Sequence, residues 1–310
     1  MPNPGKNRNC LREDPRFFTK VCNFDRHDIC FRNQMKHRYF ISLEFDGTVY
    51  RGWQVQPNAL TVQGTLEAAL GRLLGEQVPV VGAGRTDTGV HALKFYAHFD
   101  TSREPGFIRS FQLVHKLNRI LPRDIAVHEV YAVDEAAHAR FDAISRTYVY
   151  QICLRKDPFM QHRSWLLERK TDIQAMQKAA DMLLAYRDFS SFSKSNTQVG
   201  THNCHVMQAS WSHSGHLLRF EIRADRFLRN MVRAIVGTLC DVGLGKLDPA
   251  DFAAIIEARD RRKAGYSAPG CGLFLTDVQY PEGFLREPLS GKSGTETSHA
   301  AGNQDPESRP

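Results

Sequence analysis

The apolar residues of this chain change their spacing repeatedly between Tyr39 and Leu273, and that alternation excludes most architectures. Tyr39, Ile41, Leu43 and Phe45 recur at every second position, the period of a strand with one buried face, and Asp46-Gly47 supplies a turn after it. Val62, Leu66, Ala69, Leu70, Leu73 and Leu74 then fall at helical spacing behind Thr61, a suitable N-cap. Strand-like runs follow at 78–81, 93–99, 125–133 and 146–154, with a helix expected from Phe107 to Ile120 and stopped by Leu121-Pro122. The second half repeats the mixture. Ile173, Met176, Ala180, Leu183 and Leu184 form a helical stripe, and strands are expected at 206–213 and 217–224 around Ser214-Gly215. Leu228, Met231, Val232, Ile235, Val236 and Leu239 mark one face of a long helix that Gly243 and Gly245 end. Asp248-Pro249 opens a shorter one. With no short tandem repeat, this pattern predicts an α+β fold of two similar mixed modules, 37–140 and 141–285, whose antiparallel sheets are flanked by helices.

Outside those modules the sequence is polar. Residues 1–36 and 286–310 have too little apolar surface to order themselves and are expected to be disordered, with Met35 a candidate internal start. The net charge is +7, of which residues 1–34 contribute +3 and 286–310 contribute −1, so +5 remains on 35–285. The expected folded part is itself basic, which suits a polyanionic partner without identifying one. The seven cysteines (Cys10, Cys22, Cys30, Cys153, Cys204, Cys240 and Cys271) are odd in number, widely spaced and free of any C-x-x-C pair. That argues against a disulfide framework or a zinc ribbon and fits a reducing cytoplasm. No apolar run is long enough to span a bilayer, and the N-terminus has no apolar signal core.

Chemistry concentrates in Val80-Val81-Gly82-Ala83-Gly84-Arg85-Thr86-Asp87-Thr88-Gly89-Val90-His91, where a strand enters a glycine-rich loop carrying Arg, Asp and His. A dinucleotide fingerprint needs glycine where Asp87 stands, and a Walker loop needs Gly-Lys, so a phosphate cradle does not fit. Two readings remain. Either the glycines admit a substrate backbone while Asp87 points its carboxylate at it, or Asp87 only shapes an Asx-turn before Gly89. Arg85 could keep that carboxylate ionised or hold the substrate. Arg226, Arg229 and Arg233 are spaced to form one stripe on the long helix: a solvated face, a grip on phosphates, or a guanidinium for the carboxylate. Arg233 lies among Val232, Ala234 and Ile235, and a buried Arg needs an anion, which makes it the best partner for Asp87. Alternation places Arg146, Tyr148 and Tyr150 on one strand face, either as core or as a base-stacking platform beside a cation. The His202-Asn203-Cys204-His205 cluster offers metal-binding side chains, but adjacent rather than spaced for a tetrahedral site.

At these residues the sequence resembles the tRNA pseudouridine synthase A family. The likeness starts at Phe45-Asp46-Gly47 and Gly52-Trp53-Gln54-Val55-Gln56 and continues through Thr61-Val62-Gln63 to the signature loop Gly84–Ala92. Leu117-Asn118, Leu121-Pro122, Ala139-Arg140-Phe141-Asp142-Ala143 and Arg146-Thr147-Tyr148 follow in family order. Asp188-Phe189-Ser190-Ser191-Phe192, Met231-Val232-Arg233, Val236-Gly237 and Gly272-Leu273 complete it, so the likeness covers roughly 38–285. Gly270-Cys271 stand where small residues such as alanines are more usual.

The resemblance implies the pseudouridine synthase fold, with its cleft between the modules. It makes Asp87 the catalytic nucleophile, Arg233 its ion-pair partner and Arg85 a residue that helps expel the target base. Tyr148 would stack on that base, and Leu273 would pack near the site. It also implies a homodimer acting on tRNA, on uridines of the anticodon stem-loop conventionally numbered 38, 39 and 40, with no metal or organic cofactor. Two rivals remain at this stage: a non-catalytic RNA-binding protein on the same scaffold, and a metal-dependent hydrolase built on His202–His205. Other uridines in tRNA or other RNA are a milder alternative.

Overall fold

The computed structural model describes residues 36–194 and 200–289. The expectations for 1–34 and Met35, and most of the C-terminal tail, lie outside them. Strands β1 (His37–Phe45), β2 (Val80–Gly82), β3 (His91–Thr101) and β4 (Ile125–Ala132) come from the first half. The second supplies β5 (Ser145–Cys153), β6 (Trp165–Leu166), β7 (Val206–Ser214), β8 (Leu217–Ala224) and β9 (Leu273–Gln279). Among the described residues these strands form one sheet in the order β4-β1-β3-β9-β5-β8-β7, with β2 beside β3 and β6 beside β5. Pairing is antiparallel except for β3 with β9 and β5 with β6. The expected mixed class with antiparallel strands and flanking helices therefore holds, and the strands of both halves share a single sheet. Strand β9, last in sequence, is inserted between β3 and β5 and couples them.

Two apolar cores follow the halves. Helix α1 (Val62–Leu74) and the pair α2 (Pro105–Ser110) and α3 (Leu113–Ile120) pack with β1, β3 and β4 into the first. Helices α4 (Ile173–Met182), α5 (Met231–Gly243) and α6 (Pro249–Glu257) pack with β5, β7 and β8 into the second. The local signals are used as expected. The Thr61 side chain accepts from the Gly64 N–H at the start of α1, and Asp248 and Asp251 form a reciprocal capping box on α6.

Three expectations need correction. Strand β1 is buried on both faces, because the first core covers one and the chain returns at 280–284 to cover the other. Phe40 meets Tyr280 and Phe284 there, edge to face, at 5.5 and 5.3 Å. The helix expected over 107–120 is broken at Phe111-Gln112, where Gln112 takes φ 53°. The long helix begins at Met231 rather than Leu228, because Asn230 ahead of it is left-handed at φ 67°. Arg226 and Arg229 therefore precede the helix and form no stripe on it with Arg233. At the far end, the Leu289 N–H donates to Val130 O at 2.7 Å and its side chain is buried, so ordered chain continues past 285.

Candidate active site

The Gly82–His91 loop joins β2 to β3 and rests on a second loop, 47–53. The Trp53 N–H donates to Thr86 O at 3.3 Å, and the Gly89 N–H donates to Tyr50 O at 3.3 Å. Gly52 makes the approach possible: its φ is 92°, and a Cβ there would lie 2.3 Å from Thr86 O. The Trp53 ring is buried against Phe95, 4.2 Å between centroids. The loop's far end is fixed by His91, which is turned into the protein. The Gly47 N–H donates to its Nδ1 at 3.1 Å, while Nε2 faces His162 O at 3.0 Å and Cys271 O at 3.1 Å. That arrangement specifies the neutral ring with its proton on Nε2, in keeping with burial, which lowers its pKa despite Asp46 nearby. His91 is thus a support of the loop.

Asp87 sits at the tip, with its side chain 24% exposed. Arg233 Nη1 donates to its Oδ2 at 3.1 Å, and Arg233 Nε donates to Ala268 O at 2.7 Å. The Ala268 N–H in turn donates to Arg233 O at 2.9 Å, which ties the 264–268 loop to α5. Gly237, one turn along, lets that loop approach: a Cβ there would coincide with Tyr266 O. Arg229 comes within 4.0 Å of Asp87 Oδ1 from an exposed position. Two guanidinium groups from the second half thus face a carboxylate from the first.

Tyr148 lies mid-strand in β5, opposite Ile222 and Leu275, with its ring edge-to-face on Phe227 at 5.1 Å. Burial pushes its phenol up to about 12, with Arg146 opposing and the Asp87 charge adding to the rise. Leu273 is buried at the start of β9, opposite Tyr150. Gly270 just before it fits closely, since a Cβ there would lie 2.3 Å from Thr88 O in the Asp87 loop. In this conformation alanine at 270 would push on that loop. Arg85 is exposed and has no side-chain hydrogen bond or ion pair among the described residues.

Tyr150 does not join a platform. It is fully buried, and its hydroxyl donates to Pro269 O at 2.7 Å. Arg146 does more than its sequence position announced. Nη1 donates to Ala143 O at 2.9 Å and Asp225 O at 2.8 Å, and Nη2 donates to Ala83 O at 3.1 Å and to Arg140 O. One guanidinium thereby joins the 140–143 loop, the entry to the Asp87 loop and the turn leading to Phe227. The signal was a cation on a strand face shared with buried rings, but its partners are backbone carbonyls that no sequence pattern marks. In the His202–His205 segment, Cys204 is a core residue whose thiol burial pushes up to about 12. Among the described residues no three His, Cys, Asp or Glu side chains are grouped to hold a metal ion.

Comparisons with known proteins agree with one another. The family described as tRNA pseudouridine synthase matches residues 179–281. The tRNA pseudouridine synthase A of Parabacteroides distasonis is 54% identical over 245 residues, covering 79% of this chain and 96% of that protein. Its namesake in Bacteroides fragilis is 51% identical over 79% of this chain and 97% of its own. That of Bacillus subtilis is 39% identical over 77% and 97%.

Proposed function

The chain belongs to the tRNA pseudouridine synthase A family, and from that membership we infer that it is an isomerase converting uridine to pseudouridine in tRNA. The observation that supports a catalytic rather than a merely RNA-binding protein is the half-buried Asp87 carboxylate held 3.1 Å from Arg233. A binding surface alone has no use for that pair.

The reaction breaks the N1–C1′ bond, turns the base, joins C5 to C1′, removes the C5 proton and protonates N1, with no net change in composition. Asp87 begins it as a carboxylate, by attacking C1′ or C6 or by taking the C2′ proton. Arg233 fixes the direction of that carboxylate, because its second donor is spent on Ala268 O. The Tyr148 phenol, pushed up to about 12, stays protonated at neutral pH, so its ring holds the base by stacking while the base rotates. A paired uridine must first leave its helix, at a cost of a few kcal/mol. Arg85, exposed and without a protein partner among the described residues, enters the RNA and assists in this reading. Leu273 backs the site from β9.

The target uridines are those of the anticodon stem-loop, at positions 38, 39 and 40, and the working form is a homodimer in the cytoplasm. Among the described residues no helix is long and apolar enough to cross a membrane. The test is carbodiimide labelling with primer extension on tRNA from cells lacking their own enzyme, comparing the natural protein with Asp87→Asn. Stops in the anticodon stem-loop for the natural protein alone are expected. Binding without stops for both proteins would leave an RNA-binding protein instead.

A further inference from the structure

Phe141 is 73% exposed, an unusual position for a large apolar ring with a fixed surrounding. Its ring lies 4.2 Å from that of His138 between centroids, tilted by 30°, and the Arg140 guanidinium is 5.6 Å from its centre. The loop that carries it is closed on itself. The His138 N–H donates to Asp142 Oδ2 at 2.7 Å, the Asp142 N–H returns to His138 O at 3.1 Å, and His138 Nδ1 accepts from the Arg140 and Phe141 N–H groups at 3.1 and 3.3 Å. The ring is therefore presented to solvent by a braced turn.

The loop also has a defined address. Arg146 Nη2 bonds both Arg140 O and Ala83 O, so the residue before Phe141 and the start of the Asp87 loop share one donor nitrogen. Arg146 Nη1 reaches Asp225 O at 2.8 Å, two residues before Phe227, whose ring touches Tyr148. The loop that carries Phe141 is thus tied through Arg146 to the start of the Asp87 loop, at the rim of the site. An exposed ring beside a guanidinium suits a nucleobase, which offers an apolar face and lies next to phosphates.

Resting on the pseudouridine synthase reading, we propose that Phe141 is a second stacking surface, which takes the base next to the target uridine once that uridine has left the stem. Extrusion of one base leaves its neighbour with an uncovered face, and Tyr148 is occupied by the target itself. A ring that covers the neighbour stabilises the extruded state and leaves the initial complex unaffected. Its removal then slows the reaction at saturating tRNA more than it weakens binding.

The experiment measures single-turnover rate constants and tRNA dissociation constants for the natural protein, Phe141→Ala, Phe141→Leu and Phe141→Trp. Each is tested on an anticodon stem-loop with the target uridine paired and on one with it mismatched. Because the ring is exposed, all variants are expected to melt like the natural protein. Phe141→Ala and Phe141→Leu should be about tenfold slower on the paired substrate with dissociation constants within about threefold, in the range of a lost base–aromatic stack. Phe141→Trp should restore the rate, and the mismatched substrate should shrink the defect. Equal rates for Phe141→Ala and the natural protein, or a defect that is the same on both substrates and not restored by tryptophan, would overturn the proposal. Inactivity of the natural protein itself would instead overturn the functional reading beneath it.

Discussion

Arg233 Nη1 meets Asp87 Oδ2 at 3.1 Å across 146 positions of sequence, so the carboxylate of one half of the molecule is aimed by a helix of the other. Arg229 approaches the second oxygen only to 4.0 Å and is 59% exposed, against 21% for Arg233. The two arginines should therefore separate in experiment. Arg233→Gln is expected to lower the single-turnover rate about a hundredfold, the range seen when a buried charge-stabilising donor is lost. Arg233→Lys should recover little of it, because a single ammonium nitrogen does not reproduce the two separate nitrogens that Arg233 aims at Asp87 and Ala268 O. Arg229→Gln should change that rate less than about threefold and reduce the salt dependence of tRNA binding by about one phosphate contact. Equal losses from both would mean that the pair acts only through net charge.

Two glycines of the same region should behave in opposite ways. A methyl group at Gly52 would lie 2.3 Å from Thr86 O, on a residue whose φ is 92°, whereas one at Gly84 would meet nothing within 4 Å. Gly52→Ala is expected to cost about 2 kcal/mol of stability, a melting point lower by roughly 4–8 °C, and to displace the Asp87 loop enough to abolish most activity. Gly84→Ala should melt within about 2 °C of the natural protein. It should nevertheless raise the KM for tRNA several-fold if the open space beside Gly84 belongs to the substrate backbone. Calorimetry with steady-state kinetics on both variants decides it.

Much of this is legible in the sequence itself. Thr61, Asp248 and the period of the apolar residues act locally, so they mark helices and strands wherever they occur. Arg233 could be matched to Asp87 because a guanidinium among Val232, Ala234 and Ile235 needs an anion. What was not legible depends on chain segments far apart. Phe40 reads as the outward face of β1 until Tyr280 and Phe284 return to cover it. The break at Gln112 and the late start at Met231 come from single left-handed residues within otherwise helical patterns. Tyr150 alternates with Tyr148 on one strand, yet β9 and the Pro269 carbonyl bury it.

Arg146 should reveal its role by a loss that spreads. It is part-buried, its pKa is lowered by burial, and among the described residues its acceptors are four backbone carbonyls with no carboxylate. Arg146→Met keeps the length and apolar stem but leaves those carbonyls without a donor, at an expected cost of about 2 kcal/mol. Because three loops lose a common anchor, the catalytic rate should fall more than tRNA affinity. Urea titration and single-turnover kinetics on one preparation would read both. A variant that is less stable but as fast as the natural protein would make Arg146 a structural residue only.

The stability of the fold should fall on mild acidification, in a window set by histidines. His98 is buried, its Nδ1 accepts the Ala139 N–H at 3.1 Å, and burial together with the Arg38 charge lowers its pKa to about 4. His91 and His138 are lowered for the same main reason, burial. An unfolded histidine takes up its proton near pH 6.5, while the folded ring refuses it until a lower pH. The contribution is therefore complete above about pH 6.5 and is lost as pH falls towards the folded value. Asp46, Asp100 and Asp188, whose pKa values are also lowered, act in a separate window, since their unfolded carboxylates protonate only near pH 4. For His98 the difference amounts to about 3 kcal/mol between pH 7 and pH 4. His98→Asn keeps an acceptor for the Ala139 N–H but cannot titrate. Its unfolding free energy, followed by urea denaturation from pH 7.5 to pH 4.5, should decline less steeply than that of the natural protein. Parallel curves for the two would mean that His98 takes up its proton at the same pH in the folded and unfolded chain, and that burial and the Ala139 N–H do not hold its ring neutral.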